Sequence, residues 1–265
     1  MISIIYRKKT AQSQSFLLTF STKTVKYNIV HSYKYCYLEN NMDILEAVKN
    51  RHSVRRYMNI SIKEKNVELL KEKIEEINEK TGLKIQLVLD EPDAFSGILA
   101  HYGNFFGVKN LFILAGPEGK DKEVGYYGEE LVILSQQLGL NTCWVALTYN
   151  KGFVKKYVEP GDKLYLVISL GVGTNQGTEH KSKKLEEISN ISDDCPDWFK
   201  AGVECASLAP TAINQQKFYF EYKDNGVVSR ADRGPLTELD LGIAEYHFDI
   251  GSGKQIFAER LKNGR

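Results

Sequence analysis

Residues 206–218 read A-S-L-A-P-T-A-I-N-Q-Q-K-F, and this stretch decides how the rest of the chain is read. It begins as the end of an apolar-periodic helix. Pro210 has no N–H and biases Ala209 away from helical geometry, so the helix breaks there. Thr211, Asn214, Gln215 and Gln216 then crowd into six residues before the alternating run Phe218-Tyr219-Phe220-Glu221-Tyr222. Such polar side chains bond local backbone or a ligand at a helix end. Each Asn and Gln carries both a donor and an acceptor, which suits recognition of a flat heterocycle. From this stretch alone a capped helix-to-strand turn is the favoured account, so the remaining segments must decide.

The chain has 265 residues, 42% hydrophobic and 26% charged, enough for one large core or two small ones. A net charge of +1 gives no case for nucleic acid or an anionic membrane as partner. The four cysteines (Cys36, Cys143, Cys195, Cys205) have no C-x-x-C spacing, so neither a metal site nor a disulfide framework is supported. A reducing, cytoplasmic setting follows as the expectation.

Residues 1–41 differ in composition, being rich in Ser, Thr, Lys and Tyr, with one apolar run, Phe16 to Phe20. That run is too short to span a membrane and poor as a signal core. Met42 stands just before a well-formed helix. The leader is therefore read as disordered or as a misassigned start, with the functional chain beginning near 42.

Asp43 is a helix N-cap ahead of Ile44, Leu45, Ala47 and Val48. That helix delivers Arg51-His52-Ser53-Val54-Arg55. In extended backbone, residues 51, 53 and 55 point one way, placing two guanidinium forks and a hydroxyl together, a grip for phosphate. A solvated basic turn at a helix C-terminus explains the same residues. Ser61 with Glu64 reads as a capping box for the next helix, which Gly82 ends. A strand is predicted at 85–89. Residues 91–109 read as a loop, with Phe95, Tyr102, Phe105 and Phe106 set among glycines, either a lid or an ordered surface segment. A buried strand (111–115), an amphipathic helix (124–138), a strand opening into a loop (141–147), a short helix (153–157) and a buried strand (163–170) follow. Next come Gly171-Val172-Gly173 and a basic arm, His180 to Lys184. A helix from Asp194, a strand at 217–223, a turn at Asn225-Gly226 and a last helix over 236–248 complete the pattern.

Together these segments resemble the nitroreductase-like FMN flavoprotein family. The first motif is matched by Arg51-His52-Ser53-x-Arg55. The segment beside the flavin ring is matched by Gly139-Leu140-Asn141-Thr142-Cys143-Trp144-Val145, and the closing strand and basic tail by Gly171-x-Gly173 with Lys181–Lys184. Ala209-Pro210-Thr211-x-x-Asn214-x-Gln216 is similar to the A-P-S-x-x-N-x-Q-P-W signature, with Thr for Ser, Lys217 for Pro and Phe218 for Trp. Asp240 to Ala244 with His247-Phe248 resembles a further family helix. The signature here follows residue 205 instead of the first motif, as in a minority branch, the TM nitroreductases of TM1586 type.

The resemblance implies an α+β fold, a central mostly antiparallel sheet flanked by helices, arranged as a single-chain pseudo-dimer. Residues 42–190 form the nitroreductase-like half, 191–253 complete the flavin site, and 254–265 are a tail. It implies FMN as cofactor and NADH or NADPH as electron donor. The cofactor-binding set is Arg51, His52, Ser53, Arg55, Trp144, Val145, Ala146, Leu147, Lys181, Lys183, Pro210, Thr211, Asn214 and Gln216, with no catalytic side chain and no metal. Arg51 and Ser53 would hold the phosphate, Arg55 the N1–C2=O edge, and backbone N–H groups at 145–147 the N5 edge. The implied activity is ping-pong hydride transfer to a small-molecule electron acceptor, a nitroaromatic, quinone or similar electrophile, by a monomer or homodimer. The alternatives are a flavin-binding protein of the same fold without turnover, a specialised flavin reaction, and a non-flavin anion-binding domain. Cys143 reads as core, and His247 as a satisfied core histidine.

Overall fold

Helix α1 (Ile44–Asn50) starts where its cap predicts: the Asp43 carboxylate accepts from Glu46 N–H at 2.8 Å. The computed structural model describes residues 42–263, so the expectation for the leader falls outside the described residues. Helix α2 (Glu64–Thr81) departs from its predicted start. Its first residue is Glu64, preceded by Lys63 with no side-chain cap. The first turn closes on the Lys63 carbonyl, which accepts from Asn66 and Val67, so Ser61 lies too far outside to cap. Asn78 then ties α2 to the following strand by accepting from and donating to the Ile85 backbone at 2.9 Å each.

The sheet forms from β1 (Gln86–Val88), β2 (Asn110–Gly116), β3 (Asn141–Val145) and β4 (Lys163–Gly171), in spatial order β1-β2-β4-β3, antiparallel throughout. All seven residues of β2 are buried, as its unbroken apolar run requires. The predicted loop at 91–109 contains two short helical pieces, a 3-10 turn (Pro92–Phe95) and α3 (Ile98–Tyr102). One face of the sheet packs on Val54, Tyr57, Phe105 and Tyr149. Tyr57 is fixed there by donating to the Val54 carbonyl at 2.6 Å, with Ser169 Oγ at 2.8 Å. The other face meets α4 (Asp121–Gln137), where Gly128 lets the Trp144 ring and Leu114 approach.

Helix α4 was expected to be amphipathic, yet Glu129, Ser135 and Gln136 are buried with its apolar residues. The reason is a second layer. After α5 (Lys151–Val154) and α6 (Leu185–Ile188) come α7 (Asp197–Ala206), the hairpin β5 (Phe218–Lys223) and β6 (Gly226–Ala231), and α8 (Thr237–Ser252). Helix α8 lies across the outer side of α4. The two backbones meet at Gly125 and Gly242, whose missing Cβ atoms would fall against the carbonyl oxygens of Leu239 and Lys122.

The hairpin turn is displaced by one residue from the prediction. Lys223 pairs with Gly226, and the loop is Asp224-Asn225, at φ 51° and 58°. Both central positions of such a turn need positive φ, which Asp and Asn tolerate. The expected tail also holds a helix, α9 (Ile256–Lys262). Its start is built by α8: Asp249 accepts from Phe257 and Ala258 N–H and from Tyr126 Oη. Burial pushes the Asp249 carboxyl up to about 6. Phe257 thereby joins Phe199, Phe220 and Phe248 in an aromatic core, the last two stacked at 4.8 Å. No helix among the described residues is long and apolar enough to cross a membrane.

Candidate functional site

A cavity of about 750 Å³ opens where the segment after α1 meets the end of β3. Of the predicted cofactor-binding residues, Ser53, Arg55, Trp144, Val145 and Ala146 line it. The antiparallel pairing of β3 with β4 ends at Val145, so the chain leaves the sheet there, beside the cavity. Among the described residues nothing accepts from the N–H groups of Ala146 or Leu147. Leu147, between the lining residues Ala146 and Thr148, does not itself line the cavity and is 71% exposed.

The opposite walls come from residues that sequence reading did not single out as site residues. Tyr102 to Phe105 lie in the aromatic loop, and Thr148, Asn175, Gly177 and Thr178 complete the ring with Arg56. Asn141 holds this last loop, accepting from Gly173 N–H at 2.9 Å and donating to Gln176 at 2.9 Å. Gly177 at φ 74° sits against His52, where a side chain would collide with the histidine's Cβ. The phenylalanines and glycines of residues 91–109 were the available signal for one wall. Arg56 had only its place beside the motif.

Arg51 is not among the residues that line the cavity and is 4% exposed. Its Nε is 3.7 Å from Glu129 Oε1 and makes no hydrogen bond. Glu129 is fully buried and gathers three elements: it accepts from Trp144 Nε1 at 2.8 Å and lies 2.9 Å from His247 Nε2. The other ring nitrogen of His247, Nδ1, faces the Cys205 carbonyl at 3.2 Å, so both nitrogens of the ring point at acceptors. A carboxylate from α4 thus balances the arginine of the first motif, orients a cavity wall through Trp144 and anchors α8. Glu129 escaped sequence reading because its side of α4 looks solvent-facing until α8 covers it.

Two histidines near Arg51 are shifted toward the neutral form. Burial first, then the Arg51 charge, lowers the pKa of His52. His180 is also lowered chiefly by burial, with Arg51, His247 and His52 acting in the same direction and its contact with the Ser207 carbonyl opposing. Burial pushes the Cys143 thiol up, in keeping with a core cysteine.

The bend that opened the sequence reading does not line the cavity; it grips the basic arm. Gln216 is buried and satisfied by chain partners. Its Oε1 accepts from Lys183 N–H at 2.8 Å, its Nε2 donates to the Lys181 carbonyl and to Asn214 Oδ1 at 2.9 Å, and its own carbonyl accepts from Lys183 Nζ at 2.8 Å. Asn214 Nδ2 donates to the Lys181 carbonyl at 3.0 Å, and Thr211 Oγ1 accepts from Gln216 N–H. Beneath, Asp240 accepts from Ala212 N–H and from Gln215, and burial raises its carboxyl to about 6. Pro210 starts the bend. Ile213, Asn214 and Gln216 all have positive φ.

Ile213 is a β-branched residue at φ 48°, and it is 92% exposed. Left-handed geometry costs such a residue about 1–2 kcal/mol, which asparagine largely avoids. Ile213→Asn is therefore expected to raise unfolding stability by about 0.5–1 kcal/mol. A urea midpoint that stays put or falls would show that the exposed side chain has a compensating contact.

The family model described as "Putative TM nitroreductase" matches residues 43–252. Among solved structures, a putative nitroreductase from Thermotoga maritima is similar at 22% identity and TM-score 0.60, covering 82% of this chain and 86% of that one. A nitroreductase-like protein from Streptococcus mutans is 15% identical, TM-score 0.48, covering 56% and 97%. An FMN-dependent nitroreductase from Clostridium difficile is 13% identical, TM-score 0.41, covering 54% and 92%. No curated protein matches.

Proposed function

The chain belongs to the putative TM nitroreductase family, and from that premise we propose that it is an FMN-dependent NAD(P)H oxidoreductase acting on nitroaromatic, quinone or similar small electrophiles. One observation supports this most directly. Ser53, Arg55 and the chain leaving β3 at Val145–Ala146 surround a single cavity of about 750 Å³, and the buried Arg51 of the same motif has an Nε without a hydrogen bond, 3.7 Å from Glu129. That volume lies in the usual range for cofactor sites, roughly 300–1,000 Å³. When bound, FMN supplies two-electron hydride chemistry.

The chain's own residues then have separate tasks. Arg51 and Ser53 hold the phosphate, while the arm carrying Lys181 and Lys183 adds positive charge. Arg55 places a fixed cation at the ring edge, where reduction builds negative charge. The N–H groups at 146–147 offer donors without demanding a particular side chain. The bend at Thr211, Asn214 and Gln216 acts by positioning the arm. In this reading residues 191–253 stand in for a partner subunit, with α8 on α4 as the seam of a pseudo-dimer. NAD(P)H and the acceptor use the cavity in turn.

An absorbance spectrum of the purified protein, followed by anaerobic NADH or NADPH, tests this. Flavin bands that bleach are the expected result. A colourless protein overturns the cofactor assignment, and a yellow protein that resists bleaching leaves flavin binding without turnover. Arg51→Ala is expected to weaken FMN binding by about 1.5–3 kcal/mol, the value of a charge-assisted hydrogen bond. Arg51→Lys retains the charge facing Glu129 but loses the planar fork, so it separates phosphate binding from folding. FMN affinity equal to wild type in both variants would rule Arg51 out.

A further inference from the structure

Two arginines, Arg55 and Arg56, line the cavity, and no aspartate or glutamate does. Arg55 belongs to the first motif, and the oxidoreductase reading assigns it to the cofactor. Arg56 has no such assignment, yet its geometry is closely fixed. Tyr57 N–H donates to the Phe106 carbonyl and Phe106 N–H to the Arg55 carbonyl, both at 2.9 Å, while the Arg56 carbonyl accepts from Thr174 N–H at 2.9 Å. Its backbone is therefore pinned on both sides. Its guanidinium centre lies 4.7 Å over the Phe106 ring. Stacking uses the face of the guanidinium and leaves the N–H edge free. Among the described residues Arg56 forms no ion pair. Glu179, just past the wall residue Thr178, acts on His52.

The neighbouring surface is aromatic. Tyr102 is 78% exposed at the mouth, and Phe105 and Trp144 line the interior. His101 adds a second nitrogen-bearing ring 6.1 Å from Phe106. An exposed apolar rim beside an unpaired planar cation matches a ligand with a flat ring and an anionic substituent. Arg meets carboxylates through two parallel N–H bonds, so the match is directional.

Building on the oxidoreductase reading, we propose that Arg56, stacked on Phe106, is a specificity residue that selects an electron acceptor bearing an anionic group on an aromatic ring. A nicotinamide nucleotide also joins a flat ring to anionic groups, so the test must separate the two sources. Flavin-loaded protein is assayed with 4-nitrobenzoate and with 4-nitrobenzyl alcohol, which differ in charge and little in shape. Wild type is expected to favour the anion in kcat/KM, and Arg56→Gln to reduce that preference about tenfold, through KM for the anion. An unchanged ratio between the two acceptors overturns the proposal. So does a loss that falls on KM for NADH or NADPH, which assigns Arg56 to the donor's phosphates, or a fall in FMN affinity, which assigns it to the cofactor. If the protein is yellow without turnover, benzoate and benzyl alcohol are titrated against the flavin spectrum. Tighter benzoate binding that Arg56→Gln abolishes supports the proposal, and equal binding overturns it. A colourless protein removes the cofactor reading and this inference with it.

Discussion

Replacing Glu129 by alanine is expected to lower unfolding stability by about 3–5 kcal/mol, the cost of removing one partner from a buried charge pair. The carboxylate is fully buried and faces the Arg51 guanidinium, the Trp144 indole and the His247 imidazole. Without it, the Trp144 indole loses its acceptor, the His247 ring its partner at Nε2 and the Arg51 guanidinium its counter-charge. Burying such groups without partners dominates the loss, more than the attraction itself. Glu129→Gln retains an oxygen acceptor and removes the charge, so its loss should be smaller. Chemical denaturation of both variants measures the difference. A loss below about 1 kcal/mol for Glu129→Ala would mean that water or a relaxed side chain replaces the carboxylate.

The second large effect concerns the seam between α4 and α8. Gly125→Ala or Gly242→Ala is expected to destabilise the protein by about 3 kcal/mol, at the upper end of overpacking costs. The reversal of sign is diagnostic, because alanine ordinarily improves a helix by about 1 kcal/mol relative to glycine. Here the added methyl would strike a carbonyl of the opposing backbone, Leu239 for Gly125 and Lys122 for Gly242. Backbone cannot rotate aside as a side chain can, so the helices must separate. Gly152, in α5, provides the control, since its added Cβ would meet only Asn150 Oδ1, at 3.6 Å. Equal thermal midpoints for Gly242→Ala and Gly152→Ala would refute close backbone contact at the seam.

Legibility of the chain followed the range of the interactions. The Asp43 cap and the buried runs of β2 and β4 depend on neighbours along the sequence, and they were read correctly. Ser61 is no cap because the first turn of α2 closes on the Lys63 carbonyl, two residues further on, without any side-chain cap. Helix α9 was read as a tail because its start depends on Asp249 and its apolar residue on Phe220 and Phe248, which local periodicity does not encode. The bend at 211–216 was recognisable as a dense hydrogen-bonding cluster. That its amides meet the arm at 181–183 is a pairing over some thirty residues, which spacing does not reveal. Glu129 shows the same limit: a carboxylate on an apparently outer helix face became central once a later helix covered it. Ser53 and Arg55 reach one cavity as alternation in extended backbone, a local property, leads one to expect, whereas Arg51 is buried against Glu129, a partner that spacing does not encode. Arg56 required knowledge of where Phe106 would lie.

Direct apposition of two helix backbones also limits how a molecule reaches the interior. Where main chains touch, neither helix has side-chain slack to slide or hinge, so prising the two layers apart is a costly route of entry. Traffic is left to the shorter segments at the cavity mouth, those around Tyr102 and Leu147. Cross-linking α4 to α8 should therefore leave the exchange rate of a bound small molecule as it is, whereas tethering the Tyr102 segment to the Leu147 loop should slow it.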